Sequence, residues 1–276
     1  MRKILITGSS GFVGEELLIK LSSNIDNKII GIDNFEPSNE IKKKNIKNFF
    51  FKKTELRNNK DKLEQIFKEH QPDTIIHCAS RILDTMKKKD VWDTNYYASK
   101  DLLDLSTKYN LKKFIFTSTF SIFQKSYDYQ IDEEEPPSFR TVYGETKFKT
   151  EQLIMNSKFK GDICILRCPI ILGKQRSYRF GILFSMIKEN FNIPLIGDCK
   201  NKLSFVHVSD VCDAIELFFD KTGKYVFNIA ADEAEEFNLI LSRLIKKANS
   251  KSKLKFINRP LGNLMFDIAV FFRLIP

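Results

Sequence analysis

The sequence predicts an α/β fold: a doubly wound parallel sheet followed by a small C-terminal lobe. Three observations predict it. Short apolar runs alternate with helical patterns through the first two-thirds of the chain, the order that right-handed βαβ units produce. The first apolar run, Ile4-Leu5-Ile6, breaks at a turn with glycines at positions 8, 11 and 14. The second run, residues 28–32, ends in the carboxylate of Asp33, 19 residues after Gly14.

Residues 3–7 read as the first strand and residues 12–23 as the first helix. Between them Gly8 permits a tight turn, Gly11 lets a ligand approach the backbone, and Gly14 lets the helix lie close to the sheet. Such a turn, here completed by Ser10, Phe12 and Val13, offers a pyrophosphate unpaired N–H groups and the positive end of a helix dipole. The second strand, 28–32, delivers Asp33 and Asn34. A carboxylate there accepts hydrogen bonds from both hydroxyls of an adenosine ribose and repels a 2′-phosphate, so NAD is expected rather than NADP. The other reading of Asp33, less favoured after the glycine turn, is a strand-ending residue in a turn. Further strands are expected at 46–51, 73–77, 113–118 and 162–167, with helices at 59–69, 94–109 and 143–157. After Gly173 the pattern changes to a helix at 179–189, a strand at 203–208, a helix at 209–221, a strand at 224–229 and a helix at 237–248. The expected division is therefore 1–173 for a dinucleotide-binding core that also carries the catalytic residues. Residues 174–276 would be mostly a substrate-binding lobe, interleaved with the core at the sheet edge where such folds bind ligands.

The 276 residues suffice for one such domain with an appended lobe, and a hydrophobic content of 42% is ordinary. The net charge of +10 raises the question of nucleic acid. Its lysines are scattered, and no nucleic-acid-binding module is visible. The charge reads as solvated surface with some benefit for anionic substrates. Five cysteines without a CxxC pair lie in apolar segments, as buried thiols of a reducing compartment do. The three histidines are far apart and suggest no metal site. Met1-Arg2-Lys3 runs directly into the first strand, so no leader is expected and the cytoplasm is the expected location. Near the end, residues 264–275 are strongly apolar but shorter than the roughly 20 residues that cross a bilayer. Packing against the lobe or a partner subunit is the favoured reading. Peripheral membrane contact is the alternative, because Lys251, Lys253, Lys255 and Arg259 are basic neighbours.

Chemistry concentrates in two segments. In Tyr143-Gly144-Glu145-Thr146-Lys147, spacing of four puts Tyr143 and Lys147 on one helix face. An ammonium near a phenol favours the phenolate, which can exchange a proton with an alcohol. Alone the pair is also a surface tyrosine beside a solvated lysine. Upstream, the apolar run Phe114-Ile115-Phe116 ends in the hydroxyls of Thr117, Ser118 and Thr119, one of which can polarise the same substrate oxygen. Combined with the glycine turn, the arrangement becomes specific.

Here the chain resembles the extended short-chain dehydrogenase/reductases, in particular the NAD-dependent epimerase/dehydratase family and its sugar-nucleotide 4-epimerases. The matching pieces are the glycine turn, Asp33, His77-Cys78-Ala79-Ser80, Asn95, Thr117-Ser118-Thr119, the Tyr143 and Lys147 pair, Leu166-Arg167-Cys168-Pro169 and the run Phe205-Val206-His207-Val208-Ser209-Asp210-Val211. The resemblance implies a Rossmann-like core binding NAD, with Tyr143 as general acid/base, Lys147 on the nicotinamide ribose and Thr119 as hydroxyl partner. It places Glu55 or Leu56 near the adenine, and Ala79, Ser80, Asn95 and Pro169 beside the cofactor. Arg81, Thr119, Phe120, Ser121, Arg176, Lys202 and His207 are the residues expected to meet a nucleotide-sugar. His77 reads as a core histidine at a strand end. The resemblance also implies a homodimer in which the helices near 94–109 and 143–157 pair, with Leu102, Leu105, Phe148, Leu153 and Ile154 serving core and interface.

Departures narrow the reaction. Sugar-nucleotide dehydratases of this family carry an Asp-Glu pair after the catalytic hydroxyl, whereas Phe120-Ser121 follows Thr119 here. Many nucleotide-sugar epimerases have Asn where Ile170 stands and a diphosphate-binding arginine where Leu203 stands; Lys200, Lys202 or Arg176 are the available substitutes. Phe123-Gln124 replaces the usual Tyr-Gly. Epimerisation or reduction of a nucleotide-sugar is thus the leading expectation. A dehydrogenase of a non-nucleotide alcohol or ketone, of hydroxysteroid or dihydroflavonol type, is the second. A non-catalytic dinucleotide-binding module is the third.

Overall fold

Alternation of apolar strands and amphipathic helices sets the architecture, seen in a computed structural model that describes residues 1–82, 87–125, 127, 129–174 and 178–260, with only the backbone of Tyr178 and Arg179. The chain opens with β1 (Arg2–Thr7), α1 (Phe12–Ser22) and β2 (Asn27–Asp33). A short α2 (Asn39–Lys43), capped by the Ser38 hydroxyl, leads to β3 (Phe49–Lys53). Next come α3 (Lys60–His70), which stops at Gln71 in the left-handed conformation, and β4 (Thr74–His77). Then α4 (Lys88–Trp92) runs through a π-helical turn, Asp93–Tyr97, into α5 (Ala98–Lys108). After β5 (Lys113–Thr119) and a 3₁₀ turn, Phe120–Ile122, the helix α6 (Val142–Met155) leads to β6 (Asp162–Cys168) and β7 (Ile170–Leu172). The remainder is α7 (Tyr178–Lys188), β8 (Ile193–Ile196), β9 (Lys202–Leu203), β10 (Phe205–His207), α8 (Val208–Leu217), β11 (Lys224–Asn228), β12 (Glu235–Glu236), α9 (Phe237–Lys247) and β13 (Leu254–Ile257).

These elements form two units, Met1–Pro169 with Val206–Ile229, and Ile170–Phe205 with the chain from Ala230. The first unit holds a seven-stranded sheet in the order β11-β6-β5-β4-β1-β2-β3, parallel throughout. Strands buried on both faces are mostly apolar, and Leu5, Ile30, Ile75, Phe114 and Phe116 are fully enclosed in the same core as side chains of α3, α5 and α6. Winding reverses between β1 and β4, where Thr7 pairs with His77, and the crevice at the carboxyl ends of these strands is where such sheets bind ligands. In the second unit β8 pairs in parallel with β13, β9 pairs antiparallel with β12, and Ile187, Ile193, Leu195 and Leu241 form the core.

Several boundaries differ from the sequence expectation. The third strand starts at Phe49 rather than 46, because the Asn48 side chain is spent on the turn before it, donating to the carbonyls of Asn27 and Asn24. The helix expected at 94–109 is entered from Lys88 and carries the π turn. The strand expected at 203–208 is two short pieces, and Val208 already belongs to α8, whose N-cap is His207. The strand expected at 224–229 joins the main sheet beside β6.

Candidate active site

The glycine turn builds one wall of the crevice. Gly8 has φ +71°, and a Cβ there would stand 2.7 Å from the Ala79 nitrogen, so this backbone path belongs to glycine. A Cβ on Gly14 would lie 2.1 Å from the Gly8 carbonyl oxygen, which is how closely α1 packs on the turn. Gly11 occupies the N-cap of α1 and supplies no side-chain acceptor, leaving the first-turn N–H groups at Phe12 and Val13 for an incoming anion. Across the turn, Asp33 accepts the Ser10 N–H on one carboxylate oxygen (3.0 Å) and the Phe35 N–H on the other (3.1 Å). Both bonds orient the carboxylate while each oxygen keeps a lone pair for a ribose hydroxyl. This cradle fits a dinucleotide.

Behind the wall, His77 is fully buried, its Nδ1 2.6 Å from the Thr7 hydroxyl and its Nε2 2.7 Å from that of Ser99. Burial and the nearby Lys147 ammonium push its pKa down to about 3, so it is a neutral structural link between β1, β4 and α5. Asn95 sits in the π turn, a distortion that often marks function. Its side chain clasps Arg81, accepting the Arg81 N–H at 2.7 Å and donating to the Arg81 carbonyl at 2.9 Å. It also donates to the Thr146 hydroxyl at 3.1 Å, joining the loop after β4 to α6. Arg81 and Glu55, expected on the substrate and adenine sides respectively, are paired with each other at 3.0 Å, and Arg57 approaches the same carboxylate oxygen at 3.4 Å. Leu56 is buried in the core.

The reacting groups converge from three elements. Thr141 caps α6 by accepting the Gly144 N–H at 3.1 Å, and this starts the helix just before Tyr143. Burial raises the pKa of the Tyr143 phenol, and the nearby hydroxyls of Ser80, after β4, and Thr119, at the end of β5, oppose that shift. Thr119 also accepts the Ser121 N–H (3.1 Å), which holds Phe120 and Ser121 in the 3₁₀ turn beside it. Lys147, only 1% exposed, lies one turn beyond Tyr143. Its Nζ donates to the Thr117 carbonyl at 2.6 Å and rests 3.9 Å from the centre of the Phe116 ring. Desolvation lowers its pKa to about 8. The Lys147 ammonium is thus anchored on β5, by the Thr117 carbonyl and the Phe116 ring, on the same helix face as Tyr143.

Sequence reasoning missed the network beneath these groups. Glu151, one turn past Lys147, makes a forked ion pair with Arg167 of β6, with contacts of 2.9, 3.1 and 3.3 Å. The same carboxylate accepts the Ser118 hydroxyl, and Arg167 donates to the Glu133 carbonyl at 2.8 Å. A signal was available in Leu166-Arg167-Cys168, since an arginine inside an apolar parallel strand demands a buried partner. Pro169, half-buried, follows that strand. His207 is exposed, with its Nδ1 2.7 Å from the Ser209 hydroxyl at the start of α8, and Lys202 is an exposed residue of β9 in the second unit. Arg176 and the apolar residues 264–275 lie outside the described residues. Among the described residues no helix is long and apolar enough to cross a membrane. The five cysteines are free thiols.

Residues 4–230 match the family described as the NAD dependent epimerase/dehydratase family. A dTDP-D-glucose 4,6-dehydratase of Dictyostelium discoideum is 27% identical over 261 residues, covering 84% of this chain and 59% of that protein. The chain spans about half the length of the curated relatives it matches first. Among solved structures, a UDP-glucose 4-epimerase of Thermotoga maritima with UDP-glucose superposes with a TM-score of 0.82 at 24% identity, over 93% of this chain and 85% of that one. A dTDP-glucose 4,6-dehydratase of Bacillus anthracis in complex with NAD gives a TM-score of 0.82 at 23% identity, over 94% and 85%. At these identities the structural likeness establishes the fold.

Proposed function

The chain belongs to the NAD dependent epimerase/dehydratase family, and from that premise we propose that it binds NAD and epimerises or reduces a nucleotide-sugar at a sugar carbon. The observation that carries this reading is Tyr143 and Lys147 one turn apart at the start of α6, with Lys147 held on the Thr117 carbonyl near the end of β5 and the glycine cradle at the end of β1. NAD, when bound, takes up or delivers the hydride. Tyr143 exchanges the proton between its phenolic oxygen and the sugar hydroxyl, and Thr119 holds that same oxygen in line. Lys147, anchored on the Thr117 carbonyl and the Phe116 ring, offers its remaining N–H donors to the ribose. Asp33 receives the other ribose and disfavours a 2′-phosphate. Because Phe120 and Ser121, neither of them acidic, follow Thr119, epimerisation or reduction is favoured over water elimination.

The test is chemical. Mass spectrometry of small molecules released from the purified protein is expected to reveal NAD. Incubation with UDP- and dTDP-linked sugars, followed by NMR of the sugar ring, is expected to show inversion or reduction at one carbon. Tighter binding of NADP than NAD would overturn the assignment of Asp33. Turnover of an alcohol or ketone lacking a nucleotide, with none of any nucleotide-sugar, would move the assignment to a simple dehydrogenase.

A further inference from the structure

Two observations single out Glu151. It is buried (3% exposed) on the helix that carries Tyr143 and Lys147, and its carboxylate joins three elements by binding Arg167 of β6 and the Ser118 hydroxyl of β5. Ser118 precedes Thr119, and Lys147 holds the carbonyl of Thr117, so α6 grips the end of β5 at adjacent residues through Lys147 and Glu151. Spacing of four places Glu151 and Lys147 on the same helix face. We propose that Glu151 is a positioning residue of the reaction centre: its carboxylate registers the Thr119 strand end against Tyr143 and is the counter-charge that keeps Lys147 an ammonium.

The surroundings of Lys147 support the second role. Against its desolvation act, largest first, Cys78 from the end of β4, Glu151 from its own helix and Cys168 from the end of β6, and His77 lies close enough to feel its charge. Burial raises both thiols to about 12 and depresses His77 to about 3, so all three are neutral around pH 7. Of these groups Glu151, itself ion-paired with Arg167, is the anion that opposes the desolvation lowering Lys147. Arg167, held by the Glu133 carbonyl, fixes the carboxylate without contacting the reacting groups. This inference rests on the proposed NAD site.

The experiment titrates NAD calorimetrically between pH 6 and 10 into wild type, Lys147→Met, Glu151→Gln and the double variant Glu151→Gln/Arg167→Met, with circular dichroism to follow folding. The double variant avoids leaving a buried arginine unpaired, and its glutamine keeps an acceptor for Ser118. Wild-type affinity is expected to fall as pH rises through about 8, as Lys147 loses its proton, and this limb should vanish in Lys147→Met. In Glu151→Gln the limb is expected about one pH unit lower, and in the double variant, which removes both charges of the pair, by a smaller step in the same direction. A limb that stays at its wild-type position in every Glu151 variant that folds overturns the proposal. So does unfolding of both Glu151 variants, which would assign the pair to stability alone, and so does a limb that survives in Lys147→Met. Failure of wild type to bind NAD at any pH would instead refute the functional reading.

Discussion

Single residues divide into those that react and those that hold them. Tyr143→Phe should abolish turnover with NAD affinity nearly intact, because the phenol moves the proton while the glycine turn and Asp33 hold the cofactor; general acid/base groups contribute about 10²–10⁴-fold. Thr119→Ser should retain substantial activity and Thr119→Ala should lose most of it, since the hydroxyl is the shared feature. Equal kcat for Tyr143→Phe and wild type on a confirmed substrate would refute this assignment. His77 supplies a test of the scaffold. Its folded pKa of about 3 lies below the ordinary 6.5, so the unfolded chain takes up the proton first and stability falls as pH drops through that interval. His77→Leu should cost about 1–3 kcal/mol at pH 7 by leaving the Thr7 and Ser99 hydroxyls without this partner. Urea titrations at several pH values should show the deficit shrinking below pH 6, because the variant lacks the proton-linked loss.

At the scale of elements, α6 is the organising piece. It carries Tyr143, Lys147 and Glu151 on successive turns, and Thr150 adds a hydroxyl bond to the Asn95 carbonyl at 2.7 Å. Its start is exacting: a Cβ on Gly144 would lie 2.2 Å from the Ser121 carbonyl oxygen. Gly144→Ala should therefore displace the first turn, lowering both thermal stability and kcat. Thr141→Ala should cost only about 1 kcal/mol through loss of the cap. A comparison of melting temperature and activity checks the pair, and equal effects of the two would contradict the close contact. The first helix behaves alike. Gly14→Ala should abolish NAD binding, since the added carbon meets the Gly8 carbonyl within the turn that holds the phosphates.

For the whole molecule, association is the property to test. Leu102, Leu105 and Ile154, expected to serve core or interface, are fully enclosed in the core, while Leu153 is half-buried. Between α5 and α6 runs a groove of about 560 Å³ lined by Tyr96, Leu103, Thr107, Lys149 and Leu153 among others. If the expected homodimer pairs these helices, light scattering should give twice the chain mass at micromolar concentration, and Leu153→Arg should reduce it to the monomer. A monomeric wild type would remove the dimer from the reading. The net charge of +10 should also make binding of an anionic nucleotide-sugar weaken with salt, measurable as a rise in KM.

Local pattern determined much of this protein. The apolar runs, their helical alternation and the glycine turn with Asp33 are read within a few neighbouring residues, and most became the elements expected of them, the run at 203–208 splitting into two short strands. Tyr143 and Lys147 share a helix face for the same reason, a fixed residue spacing on a helix. What local pattern does not contain is which distant side chains share one buried space. Glu151 and Ser118 are 33 residues apart, and Glu55 and Arg81 are 26 apart. Their pairing follows from strand order and helix packing, and so does the seating of the Lys147 ammonium on the Thr117 carbonyl. A buried charge must find an opposite charge and a buried hydroxyl a partner, but only the folded chain decides which one is within reach.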